Sequence, residues 1–257
     1  MRLDRTPLAR AGLALALAAL VLAPARPTLA AGFAPGEEID FTVDFLGIKM
    51  GEGKIVVGQP EGAVWPIIAQ GRSGGLASIV DVREHWVSYW DSETLLPRGS
   101  DLRALELGDR HDDRARFDRE NGKASIRITR KGVRDEQTYP LDPRAHDFAS
   151  AMLWLRTQKL SEGARFDIPV FTKKGTFTLV ATVTGRETLS TKAGNFDCWR
   201  VQARTAFDGK FEAKRDVLLW YSADDNQVPV RISAEFSVGT IVVHLAGYRA
   251  GGQLAKN

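Results

Sequence analysis

The chain has one cysteine and four histidines in 257 residues. A single thiol excludes a disulfide-stapled fold, and Cys198, within the strand-like run Phe196-Asp197-Cys198-Trp199-Arg200-Val201, reads as a small buried hydrophobe. His85, His111, His146 and His244 form no H-x-x-x-H pair and no Cys/His cluster, so no zinc framework is written here. Asp224-Asp225-Asn226 lacks the remaining ligands of a calcium loop. Gly51-Glu52-Gly53-Lys54 fails as a phosphate loop because Ile48 and Ile55 stand where Gly and Ser/Thr are required; a hairpin turn is expected instead. No metal or cofactor is implied. A composition of 44% hydrophobic and 26% charged residues excludes a disordered chain.

The first thirty residues differ from the rest. Arg2, Arg5 and Arg10 precede a thirteen-residue apolar run, Ala11 to Ala23, followed by the small-residue segment Pro24 to Ala31. This is the pattern of a secretory signal peptide cut after Ala30, the run being shorter than the ~20 residues a membrane-spanning helix needs. No later stretch reaches that length. Removing residues 1–30 lowers Lys+Arg from 35 to 31 and Asp+Glu from 32 to 31, so the exported chain is formally neutral. Net charge therefore gives no support for nucleic acid or anionic lipid as a partner.

What is abundant is alternation. Ile39, Phe41, Val43 and Phe45 alternate with Asp40, Thr42 and Asp44, which predicts a strand with one dry face. Phe177, Leu179, Ala181 and Val183 repeat the pattern, as do Ile241, Val243 and Leu245. Further strands are expected at 54–57, 64–69, 82–90, 101–106, 114–117, 125–129, 166–171, 199–205, 217–221 and 228–236. Turn residues at Pro60-Glu61-Gly62, Asn121-Gly122-Lys123, Lys173-Lys174-Gly175, Asp208-Gly209 and Asp224-Asp225-Asn226 make neighbouring strands antiparallel. One segment changes period: Phe148, Met152 and Leu155 recur at helical spacing behind an Asp147 N-cap, predicting a helix near 147–158. The fold class is mainly β, a large curved antiparallel sheet of about 10–13 strands forming an open barrel or clam with one helix. Residues 31–250 make a single domain and 251–257 a tail.

Gly71-Arg72-Ser73-Gly74-Gly75 matches the G-x-S-x-G nucleophile elbow by letter. That elbow works between a parallel strand and a helix, a context missing here, so a flexible glycine-rich loop is expected. Asp109-Arg110-His111-Asp112-Asp113-Arg114 is dense in charge that nearly cancels, and is expected to be a solvated turn. The aromatic residues carry more information. They fill a β core, or, because so many strands enclose more volume than side chains fill, they line a ligand cavity. The candidate apolar lining is Phe41, Phe45, Trp86, Trp90, Leu153, Trp154, Leu219 and Trp220.

The order of certain residues is also distinctive. Gly36-Glu37, Gly51, Trp90-Asp91 with Leu96-Pro97, Phe117-Asp118, Asp147-x-x-Ser150 with Arg156, Gly194-x-Phe196, Trp220-x-Ser222-x-Asp224, Pro229-x-Arg231 and Gly239 resemble an exported bacterial family, domain of unknown function 3108. The resemblance implies a periplasmic protein of the Gram-negative envelope and brings no catalytic residues. The architecture is also similar, at the level of fold, to periplasmic open-barrel lipoprotein carriers. Two functions follow as expectations: a non-enzymatic carrier of a lipid or lipoprotein acyl chain, or a structural module that contacts another envelope protein. A serine hydrolase using the Gly71–Gly75 loop is a distant third.

Overall fold

The computed structural model describes residues 32–74, 81–106, 108–172, 175–206, 216–236 and 239–252; the segment expected as a signal peptide, Gly75 of the serine motif and the turns expected at 173–174 and 208–209 lie outside them. The first strand lies in the middle of the sheet. β1 (Glu38–Phe45), β2 (Ile48–Val57), β3 (Val64–Ser73), β4 (Val82–Asp91), β5 (Leu96–Glu106), β6 (Asp109–Asp118), β7 (Lys123–Arg130) and β8 (Val133–Pro140) run outward to one edge. The helix α1 (Phe148–Leu155) carries the chain across to the other edge. From there β9 (Arg165–Thr172), β10 (Gly175–Thr191), β11 (Gly194–Ala206), β12 (Val217–Ser222), β13 (Pro229–Phe236) and β14 (Gly239–Arg249) return to the middle, where β14 pairs with β1. The result is one 14-stranded antiparallel sheet with β8 and β9 as its edges.

Thirteen of these strands carry a pattern visible in the sequence; the additional one, β8, does not. Its side chains are almost all exposed, so Val133-Arg134-Asp135-Glu136-Gln137-Thr138 has no dry face to write an alternation. Charge along β8, with Pro140 at its end and Pro169 inside β9, guards both edges against pairing with another chain. The two edges are tied without closing the sheet. His146, just after β8, receives the β9 amide of Phe171 on its carbonyl and donates its own amide to Pro169, each at 2.8 Å. Phe117 and Tyr139 pack edge-on against Phe171 beneath this tie.

Two further sequence expectations are corrected. Gly51-Glu52-Gly53-Lys54 is the middle of β2 and not a turn; the hairpin turns at Leu46-Gly47. Gly51 is required there by close approach, since a Cβ would lie 2.5 Å from the Arg72 carbonyl oxygen. Gly71-Arg72-Ser73 is likewise the end of β3, paired with Gly53-Glu52-Gly51, and not a loop. Strands on both sides are antiparallel, so the parallel-sheet context of a nucleophile elbow is missing.

The helix sits against the inner face of the curve. Leu153 is fully buried among Ile39, Ile67 and Trp90, while Ala151 and Leu155 pack with Ile168, Val201 and Leu219 of the other half. Its N-cap is a capping box: Asp147 accepts the Ser150 amide at 2.8 Å, and Ser150 Oγ accepts the Asp147 amide at 3.0 Å. At the C-cap, Arg156 is fully buried and makes a bidentate pair with Glu37, both contacts at 2.7 Å. Its remaining N–H groups donate to the carbonyls of Gly32 and Asn226, and Tyr248 donates to Glu37 at 3.0 Å. This cluster seals one end of the sheet. The hairpin turns at Leu46-Gly47, Gly108 and Lys131-Gly132 lie at the other end, by the antiparallel strand order.

Candidate functional site

The Asp109–Arg114 segment, expected as a solvated turn, is the first half of β6. Alternation there sorts the charges: His111 and Asp113 are buried, while Arg110, Asp112 and Arg114 are exposed. The sequence signal was present as period two in Asp109-His111-Asp113-Ala115-Phe117, but the inward residues are polar, so a hydrophobic pattern could not find it.

The buried side of β6 belongs to two cross-strand rows. One runs Trp86, Leu102, Asp113, Ile128 and the next runs Ser88, Ser100, Ala115, Ile126. The second row is small where the first is bulky, and this leaves a hollow of about 200 Å³ between the sheet, the N-cap of α1 and the edge strand β9. Its apolar walls are Trp86, Leu102, Ala115, Phe117, Ile126 and Phe171. Ser100, His111, Asp113, Asp147 and Thr172 supply polar atoms.

These polar groups differ in how they are satisfied. Asp147 accepts from Ser88 Oγ at 2.6 Å besides capping the helix, and burial pushes its carboxyl pKa upward. Trp86 Nε1 and His111 Nδ1 are buried and have no hydrogen-bond partner among the described residues. Buried donors and acceptors are rarely left so, because each forfeits its bond to water. Behind the hollow, His146 is wedged between the rings of Trp90 and Trp154 at 6.3 and 5.7 Å. Burial, helped by the nearby Arg119 charge, lowers its pKa from 6.5 to about 4, so it is neutral.

The sequence-proposed lining is not gathered at one place. Trp86 borders the hollow. Phe41 is buried on the same inner face and borders a wider, open groove of about 620 Å³ over Gly53 and Gly71, where no side chain fills the sheet. Trp90 and Leu153 are fully buried filler, and Trp154 packs against His146 and Phe166. Leu219 lies beneath the helix. Trp220, the next residue, faces the opposite way, its indole donating to Glu187 with the Arg231 guanidinium over the ring. Phe45 ends β1 near the open rim, opposite Ile241. The wall residues missing from the sequence-proposed lining are Leu102, Ala115, Phe117, Ile126 and Phe171, together with the polar atoms of β6.

Among the described residues no group of three or more His, Cys, Asp and Glu side chains is placed to hold a metal ion. Among them, too, no helix is long and apolar enough to cross a membrane. Cys198 is buried, and burial together with Asp197 pushes its thiol pKa up to about 12, which suppresses the reactive thiolate.

Comparison with known proteins gives the fold and a family. The family model described as protein of unknown function (DUF3108) matches residues 40–246. A β-barrel-like protein of another unknown-function family, DUF1849, from Brucella abortus is similar over 84% of this chain and 98% of its own, with TM-score 0.57 and 8% identity. A candidate lipoprotein from Parabacteroides distasonis aligns over 86% of this chain and 98% of its own, with TM-score 0.36 and 12% identity. A candidate exported protein with a YmcC-like fold from Bacteroides fragilis covers 86% of this chain and 99% of its own, with TM-score 0.35 and 13% identity. No curated protein matches the sequence.

Proposed function

Since the chain belongs to the DUF3108 family, which has no assigned activity, function has to come from the site, and we propose a non-enzymatic, exported binding module that shelters an apolar segment of its ligand inside the curved sheet. One observation carries this reading: the hollow between β4–β7 and β9, apolar on most sides and provided with two unsatisfied buried polar atoms, Trp86 Nε1 and His111 Nδ1. A concave apolar site with a few converging polar groups is what small-molecule recognition requires. Its volume equals roughly seven waters, suited to a short alkyl segment and too small for a whole lipid. Burying five methylenes there would contribute about 4 kcal/mol before the cost of association. Export is supported by the leader pattern of residues 1–30, and the periplasm by the family resemblance.

The test is native mass spectrometry of the protein incubated with decanoic acid. A one-to-one adduct is expected, weakened at least tenfold by Ala115→Trp, which fills the hollow from the middle of β6. A bare mass at every decanoate concentration, or equal binding by the filled variant, would reject the reading.

A further inference from the structure

The alternation that turns His111 and Asp113 inward turns arginines outward. Three cross-strand rows nearest the open rim can be followed over the outer face of β3–β8. They run Arg72, Arg83, Leu105, Arg110; then Gln70, His85, Arg103, Asp112, Thr129, Arg134; then Ile68, Val87, Asp101, Arg114, Arg127, Glu136. Seven arginines stand there against three carboxylates. Some are paired from nearby: Arg72 with Glu52, Arg83 with Asp81, while Arg127 and Arg134 share Glu136. Arg103, Arg110 and Arg114 make no ion pair among the described residues, and all three are exposed.

The arrangement costs stability. Arg72 lies directly opposite Arg83, and Arg114 directly opposite Arg127. Like charges in directly opposed positions of a sheet repel, so local pairing rules are broken twice on one face. Arg83, Arg103 and Arg110, together with the carboxylates of Glu84 and Asp112, also border a shallow groove of about 440 Å³. Guanidinium groups converging on a groove suit phosphate oxygens, which their planar forks bind in pairs.

The rim itself is apolar at its tips. Leu46, Ile48 and Val133 are 65%, 48% and 72% exposed, and all belong to hairpin ends on the side away from the Glu37–Arg156 seal. Lys131 stands exposed in the same turn as Val133. Apolar tips that project beyond a belt of cations meet the two requirements of a protein resting on an anionic bilayer: burial in the acyl boundary and attraction to headgroup phosphates.

We propose that the open rim of the sheet docks on an anionic lipid surface, with Leu46, Ile48 and Val133 entering the interface and Arg103 and Arg110 holding headgroup phosphates in the outer groove. This seating turns the open end of the curve toward the bilayer. It is independent of what the inner hollow holds. The formal neutrality of the exported chain does not oppose it, because the field at the rim depends on where charges lie and not on their sum.

The experiment is flotation of the protein recovered after export, its N-terminus verified by mass, with phosphatidylglycerol or phosphatidylcholine vesicles. Binding to phosphatidylglycerol is expected to exceed that to phosphatidylcholine about tenfold or more, and to fall away near 0.5 M salt. Arg103→Glu/Arg110→Glu should abolish it, and Leu46→Ser/Val133→Ser should weaken it severalfold. An unchanged thermal unfolding midpoint establishes that each variant is folded. No binding to either vesicle, equal binding to both, or full binding by the folded arginine variant would overturn the proposal. Displacement from vesicles by inositol hexakisphosphate is expected only at high concentration; binding to that soluble phosphate as tight as to vesicles would assign the groove to free phosphate and overturn the docking.

Discussion

His146 shows how one buried side chain links packing to pH. It is 3% exposed, lies between Trp90 and Trp154, and has its pKa lowered from 6.5 to about 4 by burial first and Arg119 second. Between these values the unfolded chain binds a proton that the folded chain refuses. Stability from this group is therefore complete above pH 6.5 and lost as pH falls toward 4, by about 3 kcal/mol in all. Urea unfolding at pH 7 and at pH 4 should record that loss, and His146→Leu should remove about that part of it. An identical pH dependence in the variant would show that other groups are responsible. Two other residues demonstrate what position alone decides. Cys198 is inert because it is buried beside Asp197, and Ser73 is a strand residue whose Oγ accepts the Val82 amide at 3.0 Å. The strand position of Ser73 is not visible in the letters around it, which spell a nucleophile elbow.

At the scale of elements, the helix and β6 carry the site. α1 has only eight residues, too few to persist alone, so its cap and its packing must hold it. Asp147 does both, closing the capping box and accepting the Ser88 hydroxyl from β4. Asp147→Ala should cost about 1–2 kcal/mol and speed hydrogen exchange at the Ser150 amide, whose acceptor is removed. Unchanged exchange there would mean that tertiary packing fixes the first turn without its cap. The helix was legible from Phe148, Met152, Leu155 and a preceding aspartate. β6 was legible only in its second half, because its inward residues begin with Asp109, His111 and Asp113, and a polar dry face has no hydrophobic period. β8 left no signal because it has no dry face at all.

At the scale of the molecule, the fold depends on a fastener between distant parts of the chain. Arg156 at the end of α1 joins Glu37 before β1, the Asn226 carbonyl between β12 and β13, and Tyr248 through Glu37. Breaking one member leaves the other charge buried and unpaired. Glu37→Leu or Arg156→Met should each cost about 3–5 kcal/mol, and the two together much less than the sum. Additive losses in urea denaturation would show that the two charges act separately. The same cluster explains part of the family pattern. Glu37 and Arg156 form the seal, Asp147 and Ser150 the capping box, Ser222 and Asp224 bond at 2.7 Å, and Arg231 covers Trp220. Most of these family-marking residues secure the fold, while Asp147 and Phe117 of the same pattern also border the hollow.

The amino-acid order alone determined the class of fold, thirteen of the strands, the place of the helix and the inertness expected of Cys198, because each depends on local periodicity or a single residue's chemistry. It could not determine that β1 and β14 meet in the middle of the sheet, since pairing between chain segments two hundred residues apart leaves no local trace. Only the tertiary structure decided where space remained. Trp90 and Leu153 fill the interior completely, while Ser88, Ser100 and Ala115 leave the hollow, and volume is a property of rows of neighbours across strands, not of neighbours in sequence. The same holds for charge: a chain of formal net charge only +3 acquires an arginine-bearing outer face because the sheet sends alternate residues to opposite sides and then lines up those from six strands.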